Sequence, residues 1–174
     1  FATDPDGDRL SIVDNLGNPL GEELTLALCA YYFLKFFKNN RKYPIVTNLS
    51  TSMISEKISE SFNTPFIRSA VGEINVVKKM QCENSLLGGE GNGGIILRES
   101  HLGRDSLVGT AIVLNLLAKE SLTINEIFNS FPKFYIQKSS IELKDDSDTI
   151  ISKLKRYFMN EGIIETDGLK IVRK

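Results

Sequence analysis

The sequence predicts an α/β fold, a three-layer domain in which helices cover both faces of a mixed β-sheet. Short apolar segments alternate with segments of helical periodicity from about Leu10 to Leu97, and the connections between them are short. Such alternation is typical of sheets whose parallel strands are joined by helices. The chain has 174 residues, 41% hydrophobic and 25% charged, which is enough to bury a substantial core.

The predicted elements of the first half follow in chain order. A short apolar run at 10–13 leads into a turn. A largely buried helix is expected from Gly21 to about Lys38, because apolar residues surround it. The elements expected next are a strand at 44–46, a helix at 53–62, a strand at 64–67, a helix at 72–80 and a strand at 85–87.

The second half begins with a long helix over 105–119, with Asp105 as its predicted N-cap and apolar residues at 107, 111, 114 and 117 on one face. A shorter helix capped by Thr123 stops before Pro132, which marks the predicted domain boundary. Beyond it the start of an α+β domain is expected. Its predicted elements are a strand at 134–143, a helix at 147–160 capped by Ser147 and a β-hairpin at 163–171.

The composition excludes several classes of protein. The net charge is −1 and the isoelectric point about 6.0, so no basic surface indicates a nucleic-acid partner. No apolar run is long enough to span a membrane, and the N-terminal residues lack the pattern of a signal peptide. Two cysteines do not make a disulfide framework, so we expect a cytoplasmic protein.

An acidic segment near the N-terminus carries the first functional signal. Asp4, Asp6 and Asp8 alternate with a proline and a glycine, which bend the chain so that the three carboxylates can converge. Like charges held close repel one another unless a cation lies between them. Hard divalent cations prefer oxygen ligands, so we predict that these three aspartates bind Mg²⁺.

The acidic segment has two alternative interpretations. An EF-hand loop counted from Asp4 would need glycine at its sixth position and glutamate at its twelfth, where this chain has Arg9 and Asn15. A solvated acidic turn is the plainer alternative, and the residue types alone permit it. Arg9 favours the metal site, because a guanidinium beside a cation suits a phosphate that both can bind.

A glycine-rich segment carries the second signal, with five glycines in the seven residues 88–94. Glycines let the backbone approach a ligand closely, and the two side chains in the segment are those of Glu90 and Asn92. A carboxylate and an amide in this arrangement can bind the hydroxyls of a sugar. The alternative is a flexible glycine hairpin, and the segment matches neither the dinucleotide fingerprint nor the P-loop.

His101, the only histidine, lies just before the long helix. A catalytic role would need a second titratable group within reach, and the sequence does not place one. We therefore favour packing within the loop for His101 and assign it no catalytic role.

Together the two segments resemble the loops of a known family. Residues 4–9 (DPDGDR) resemble the metal-binding loop of the α-D-phosphohexomutase superfamily, and residues 89–94 (GEGNGG) resemble its sugar-binding loop. The order and separation of the two motifs fit that superfamily, which includes phosphoglucomutase/phosphomannomutase and phosphoglucosamine mutase. The resemblance extends over essentially the whole chain.

The resemblance implies a domain organisation. Residues 1–12 would be the end of domain 2 with the metal loop, 13–132 would be domain 3, and 133–174 the truncated start of domain 4. The chain begins and ends abruptly, so we expect a fragment. The phosphoserine loop and the late phosphate-binding loop of the family would lie in the remaining domains of the same polypeptide, and the fragment alone should be inactive.

The resemblance also implies a reaction. A phosphoserine would phosphorylate a hexose phosphate, and the resulting bisphosphate would return its other phosphoryl group. Mg²⁺ on Asp4, Asp6 and Asp8 and the side chain of Arg9 would act on the transferring group, while Glu90 and Asn92 would hold the phosphosugar. Glucosamine, glucose and mannose phosphates all stay open as substrates. The alternative function is a non-catalytic metal- or sugar-binding module.

Some positions depart from the family pattern of many bacterial members. Asn92 stands where they have serine and Gly94 where they have histidine, a form that resembles an archaeal-type branch. Leu49 and Glu73 stand where some members have lysine and histidine. These differences weaken any choice of sugar, and an acid at a helix N-terminus is an equally good interpretation of Glu73.

Overall fold

The structure is a computed structural model that describes residues 1–137 and 139–173. It contains two compact units, Phe1–Tyr135 and Ile136–Lys174. The predicted boundary lay at residue 132, three residues before this division. The assignment of residues 1–12 to a preceding domain stays a prediction.

The first unit contains both candidate loops. Its strands are β1 (Ala2–Thr3), β2 (Leu10–Ser11), β3 (Ile45–Asn48), β4 (Phe66–Ser69), β5 (Leu87–Gly89) and β6 (Ile95–Leu97). Its α-helices are α1 (Glu23–Phe36), α2 (Ile54–Ser61), α3 (Glu73–Cys82), α4 (Ser106–Glu120) and α5 (Ile124–Asn129). A 3₁₀ helix, Lys38–Lys42, joins α1 to β3.

A mixed four-stranded sheet, in the order β4-β3-β5-β6, is the centre of this unit. The strand β3 runs parallel to β4 and β5, whereas β6 is antiparallel to β5. The predicted alternation of strands and helices is therefore confirmed. The antiparallel pair arises because the glycine-rich segment turns the chain directly from β5 into β6.

Hydrophobic residues on the two faces of the sheet belong to two separate cores. Ile45 and Leu87 lie in the larger core, together with residues of α1, α2 and α4. Val46 lies in the smaller core with Val76 and Met80 of α3. Successive strand residues point to opposite faces, so Ile45 and Val46 enter different cores. The predicted three-layer α/β architecture is confirmed.

The expected burial of α1 is confirmed, since every residue from Leu24 to Ala30 is buried. By contrast, the predicted apolar face of α4 was wrong. Leu107 and Leu114 have exposed fractions of 74% and 50%, and Ala111 is also exposed. The buried positions of α4 are instead Ser106, Gly109, Ile112, Val113 and Leu116.

The reason for the α4 error lies in its composition. Apolar residues occur around the whole helix, so its periodicity does not select one face. Gly109 selects it in the structure, because a Cβ there would lie only 3.2 Å from both Ile95 Cγ1 and Leu10 Cδ2. The predicted cap is confirmed: Asp105 Oδ1 accepts from the backbone N–H groups of Leu107 and Val108.

The second unit contains α6 (Ser147–Tyr157) and an antiparallel hairpin of β7 (Gly162–Ile164) and β8 (Lys170–Val172). The predicted helix and hairpin are present, but Asp146, not Ser147, caps the helix by accepting from Thr149 N. The predicted strand at 134–143 was wrong, because residues 134–137 and 139–143 form none. Lys138 lies outside the described residues.

Candidate metal and sugar site

The acidic segment forms the turn between β1 and β2, which pair antiparallel. The turn closes through a hydrogen bond from Gly7 N to the carbonyl of Asp4 at 3.0 Å. Gly7 has a φ of 73°, which an L-amino acid with a side chain adopts at a cost. This geometry brings one carboxylate oxygen from each of Asp4, Asp6 and Asp8 to within 4.8 Å of the others.

The chemistry of these three groups fits a divalent cation. Asp8 Oδ1 is buried and has no hydrogen-bond partner among the described residues, although a buried carboxylate oxygen normally has one. Desolvation, together with the charges of Asp4 and Asp6, raises the pKa of Asp8 despite the opposing Arg104. A hard cation among the three carboxylates would satisfy the free oxygen and offset this repulsion.

Arg9 holds one side of the turn through Asp4. Its backbone N–H and its Nε donate to the two oxygens of Asp4 at 3.1 and 2.6 Å. Desolvation alone would raise the pKa of Asp4, but the bonds and charge of Arg9 outweigh it and lower that pKa well below its usual range. The Arg9 side chain is 46% exposed and lines a cavity of about 220 Å³ together with Asn92.

Backbone hydrogen bonds join the acidic turn to the glycine-rich segment. Leu10 N donates to the carbonyl of Gly93 at 3.0 Å, and Arg9 pairs with Gly94 as an isolated antiparallel bridge. On its other side, the carbonyl of Gly7 accepts from Ser106 Oγ at 2.6 Å, at the start of α4. The two motifs, more than eighty residues apart, are thus neighbours in the fold.

The glycine-rich segment closes the β5–β6 hairpin, but close packing fixes it. A Cβ at Gly91 would collide with the carboxylate of Glu23, and one at Gly94 with the side chain of Arg104. The N–H of Gly91 also donates to Thr51 Oγ1 at 3.0 Å. The hairpin topology of the alternative interpretation is present, while the glycines serve close approach by neighbouring side chains.

Glu90 is buried at the centre of this segment, with a 5% exposed side chain. Its Oε1 accepts from Asn48 Nδ2 at 2.6 Å and from Gly72 N at 3.3 Å. Its Oε2 accepts from Arg104 Nη1 at 2.9 Å and from Asn92 Nδ2 at 3.4 Å. Glu90 and Asn92 therefore lie side by side, and binding of a sugar by either stays a prediction.

Sequence reasoning missed Arg104. Its guanidinium forms ion pairs with Asp8 of the acidic turn, with Glu73 and with Glu90. Its neighbour Asp105 was recognised as a helix cap, but no local pattern shows that the arginine reaches both motifs. The only available signal was its position in a short polar segment before α4.

Glu73, His101 and Leu49, which the sequence analysis also discussed, differ in their contacts and burial. Glu73 Oε1 accepts from Arg104 N at 3.0 Å, so its helix N-terminal position and the site coincide. His101 is exposed, and its Nδ1 lies 3.8 Å from Asp105 Oδ2. Leu49 is buried, with an exposed fraction of 8%. Among the described residues, no helix has both the length and the apolar character needed to cross a membrane.

An α/β/α domain with an acidic turn packed on a glycine-rich hairpin is the class that fold and site define. A family model described as phosphoglucomutase/phosphomannomutase, alpha/beta/alpha domain III, matches residues 21–135. The chain belongs to this family.

Curated relatives agree with this assignment. A phosphoglucomutase/phosphomannomutase of Thermococcus kodakarensis is 31% identical over 173 residues, which are 98% of this chain and 37% of the relative. A phosphoglucosamine/phosphogalactosamine mutase of Sulfurisphaera tokodaii is 30% identical over 178 residues, 99% of this chain and 39% of the relative. The chain thus spans less than two-fifths of the length of either relative.

Solved structures show the same fold. A phosphoglucomutase/phosphomannomutase family protein from Burkholderia thailandensis superimposes with a TM-score of 0.78 at 21% identity, covering 98% of this chain and 36% of the other. An N-acetylphosphoglucosamine mutase of Aspergillus fumigatus, solved with GlcNAc-6P and magnesium, gives a TM-score of 0.59 at 15% identity. That match covers 90% of this chain and 40% of the other.

Proposed function

We propose that this chain is part of a Mg²⁺-dependent phosphohexomutase, which moves a phosphoryl group between the 1- and 6-positions of a hexose phosphate. Glucosamine, glucose and mannose phosphates are the candidate substrates. The remaining domains of the same polypeptide would supply the phosphoserine that exchanges phosphoryl groups with the sugar. The 174 residues alone would not catalyse this reaction.

The observation that carries this proposal is the contact between the two motifs. A phosphoryl group can be transferred to or from a sugar only if the cation that neutralises its charge lies close to the residues that hold the sugar. The hydrogen bond from Leu10 N to Gly93 O joins the acidic turn to the glycine-rich segment. Arg104 joins the same two segments through Asp8 and Glu90.

Each residue has a role in this proposal. Asp4, Asp6 and Asp8 would hold Mg²⁺, which when bound neutralises negative charge on the transferring phosphoryl group. Arg9, which is exposed and fixed at one end by Asp4, would donate to the phosphoryl oxygens.

Glu90 and Asn92 would bind hydroxyls of the sugar. Two donors to Glu90 are distant, Gly72 N at 3.3 Å and Asn92 Nδ2 at 3.4 Å, so a sugar hydroxyl can replace either at small cost. The proposal therefore places the sugar at the Asn92 side of Glu90, next to the cavity that Arg9 lines.

A single amide substitution tests the metal assignment. Asp6 is exposed, so Asp6→Asn in the intact protein removes a ligand charge with little effect on folding. We expect turnover of hexose 1-phosphate to fall at least about 100-fold, the scale of losing a preorganised charge-stabilising group. Calorimetric titration of the same variant should show weakened Mg²⁺ binding.

Asp148→Asn is the matched control, because Asp148 is also exposed but lies in the first turn of α6. It should retain the activity of the wild type. Asp6→Asn activity within about twofold of wild type would refute the metal assignment. Mg²⁺ or sugar binding by an intact protein that turns over no hexose phosphate would instead support the non-catalytic module.

A further inference from the structure

Arg104 is shared by three acidic side chains from three separate segments. Its Nη2 contacts Asp8 Oδ2 in the acidic turn, and its Nη1 donates to Glu90 Oε2 at 2.9 Å. Its Nε lies 3.2 Å from Glu73 Oε2 at the start of α3. One guanidinium therefore connects the proposed metal site, the proposed sugar site and the N-terminus of α3.

This cluster is partly withdrawn from solvent. The side chains of Arg104, Asp8 and Glu90 have exposed fractions of 19%, 20% and 5%. Charge-assisted hydrogen bonds in such surroundings are shorter and stronger than neutral ones. The planar guanidinium fork offers donors in several fixed directions, whereas a lysine ammonium acts as a point charge. The arrangement therefore uses a property specific to arginine.

The hydrogen bonds of Glu90 show what Arg104 controls. Of its four donors, Asn48 and Arg104 are the close ones, at 2.6 and 2.9 Å, and each holds a different oxygen. These two bonds fix the plane of the carboxylate. The longer bonds, from Gly72 N to Oε1 and from Asn92 Nδ2 to Oε2, are the ones that a sugar hydroxyl can replace without removing either close bond.

Asp8 has a complementary arrangement. Arg104 occupies its Oδ2, while Oδ1 is buried without a hydrogen-bond partner among the described residues. Arg104 thus holds one oxygen of the Asp8 carboxylate, and Asp8 contributes a carboxylate oxygen to the cluster with Asp4 and Asp6. Arg104 therefore leaves Asp8 Oδ1, which lies 3.7 Å from Arg9 Nε, without a hydrogen bond among the described residues on the metal side. On the sugar side it leaves the two longer bonds of Glu90 replaceable.

We propose that Arg104 is a positioning residue that orients Glu90 toward the sugar and Asp8 toward the metal at the same time. This inference rests on the proposed function, because it assigns Arg104 a role in that reaction. Arg104 does not contact the reacting atoms in this proposal. Together with the backbone hydrogen bond from Leu10 N to Gly93 O, it fixes the distance between the metal loop and the sugar loop, on which transfer of the phosphoryl group depends.

Kinetics of Arg104→Met and Arg104→Lys in the intact protein test the inference, with Arg98→Met as the control. Arg98 is exposed and donates to Asn84, so its replacement removes the same type of side chain away from the site. We expect Arg104→Met to lower kcat/KM on the order of 100-fold, with KM for the hexose phosphate raised about tenfold. Arg104→Lys should lose at least about tenfold despite its retained charge.

A KM measurement separates positioning from mere structural support, because loss of folded protein lowers the apparent kcat and leaves KM unchanged. An unchanged KM in both Arg104 variants, or a kcat/KM for Arg104→Lys within about twofold of wild type, overturns the inference. Circular dichroism shows which variants fold, and if Arg104→Met does not, Arg104→Lys decides. If the intact wild-type protein turns over no hexose phosphate, the proposed function itself is refuted. If the wild type is active and the Arg104 variants have the same kcat and KM as Arg98→Met, only the role of Arg104 is refuted.

Discussion

Replacement of Glu90 by glutamine gives the sharpest test of the buried polar cluster. The carboxylate has two acceptor oxygens, and each binds one close donor, Asn48 Nδ2 at 2.6 Å or Arg104 Nη1 at 2.9 Å. Glutamine offers one acceptor oxygen and places an N–H₂ group where the other oxygen was. One of the two close bonds must therefore be lost, and two donors then face each other in a buried site.

The magnitude follows from this loss. A hydrogen bond that involves a charged group contributes about 1.5–3 kcal/mol, and a buried donor without a partner costs about 1–3 kcal/mol. Since Arg104 keeps Asp8 and Glu73 as partners, the penalty on its side is reduced. We expect Glu90→Gln to lower the free energy of unfolding by roughly 3 kcal/mol, which corresponds to about 6–12 °C in the melting temperature.

Urea unfolding of the chain followed by circular dichroism measures this change. Glu99→Gln is the control, because Glu99 is an exposed residue in the loop that follows β6. Its unfolding free energy should stay within about 0.5 kcal/mol of wild type. A Glu90→Gln variant as stable as this control would contradict the contribution we assign to the Glu90 hydrogen bonds.

Three further predictions concern the fold. Leu116→Ala should lower the free energy of unfolding, measured with urea, by about 2–5 kcal/mol, because Leu116 is buried. Leu107→Ala should lower it by less than about 0.5 kcal/mol, because Leu107 is exposed, and equal losses would contradict the observed buried face of α4. Thr123→Ala should lower the melting temperature by removing a capping box worth about 1 kcal/mol, and no change would reject that cap. Burial alone would raise the pKa of Asp14, but hydrogen bonds, two of them from Asn18, lower it to about 2. This pKa lies below the unfolded value of 3.8, so the stabilisation is complete above pH 3.8 and is lost as the pH falls toward 2. The urea midpoints of wild type and Asp14→Asn should therefore converge over that interval, and a constant difference would contradict the assignment.

The sequence predicted β3, β4, β5 and the α-helices of the first unit because their signals are local, whereas β6 at 95–97 was not among the predicted strands. The apolar start of Ile45–Asn48 and the helical periodicity of Glu73–Cys82 are each visible within a few residues. The buried face of α4 was not predictable in this way, because apolar residues occur on all its sides. The choice depends on Gly109, whose missing side chain permits close packing against Ile95, a contact between distant segments.

The residues of the candidate site also differ in whether their signals are local. Both motifs were visible in the sequence, because the residues of each motif lie close together along the chain. Asp4, Asp6 and Asp8 lie within five residues, and the glycines around Glu90 lie within seven. Arg104 was not visible as part of either, because its partners come from separate segments and only folding brings them together. Likewise, no local pattern indicates that the carboxylate of Glu90 is buried and accepts four hydrogen bonds.

The metal dependence of turnover by the intact protein tests the central proposal most directly. Glucose, glucosamine and mannose 1-phosphates are each incubated with the protein after removal of divalent cations by a chelator, and then with Mg²⁺ restored. We expect the 6-phosphate of at least one of these sugars to form only when Mg²⁺ is present. Formation that is unaffected by the chelator would contradict the role of Asp4, Asp6 and Asp8, and no 6-phosphate from any of the three would contradict the phosphohexomutase proposal.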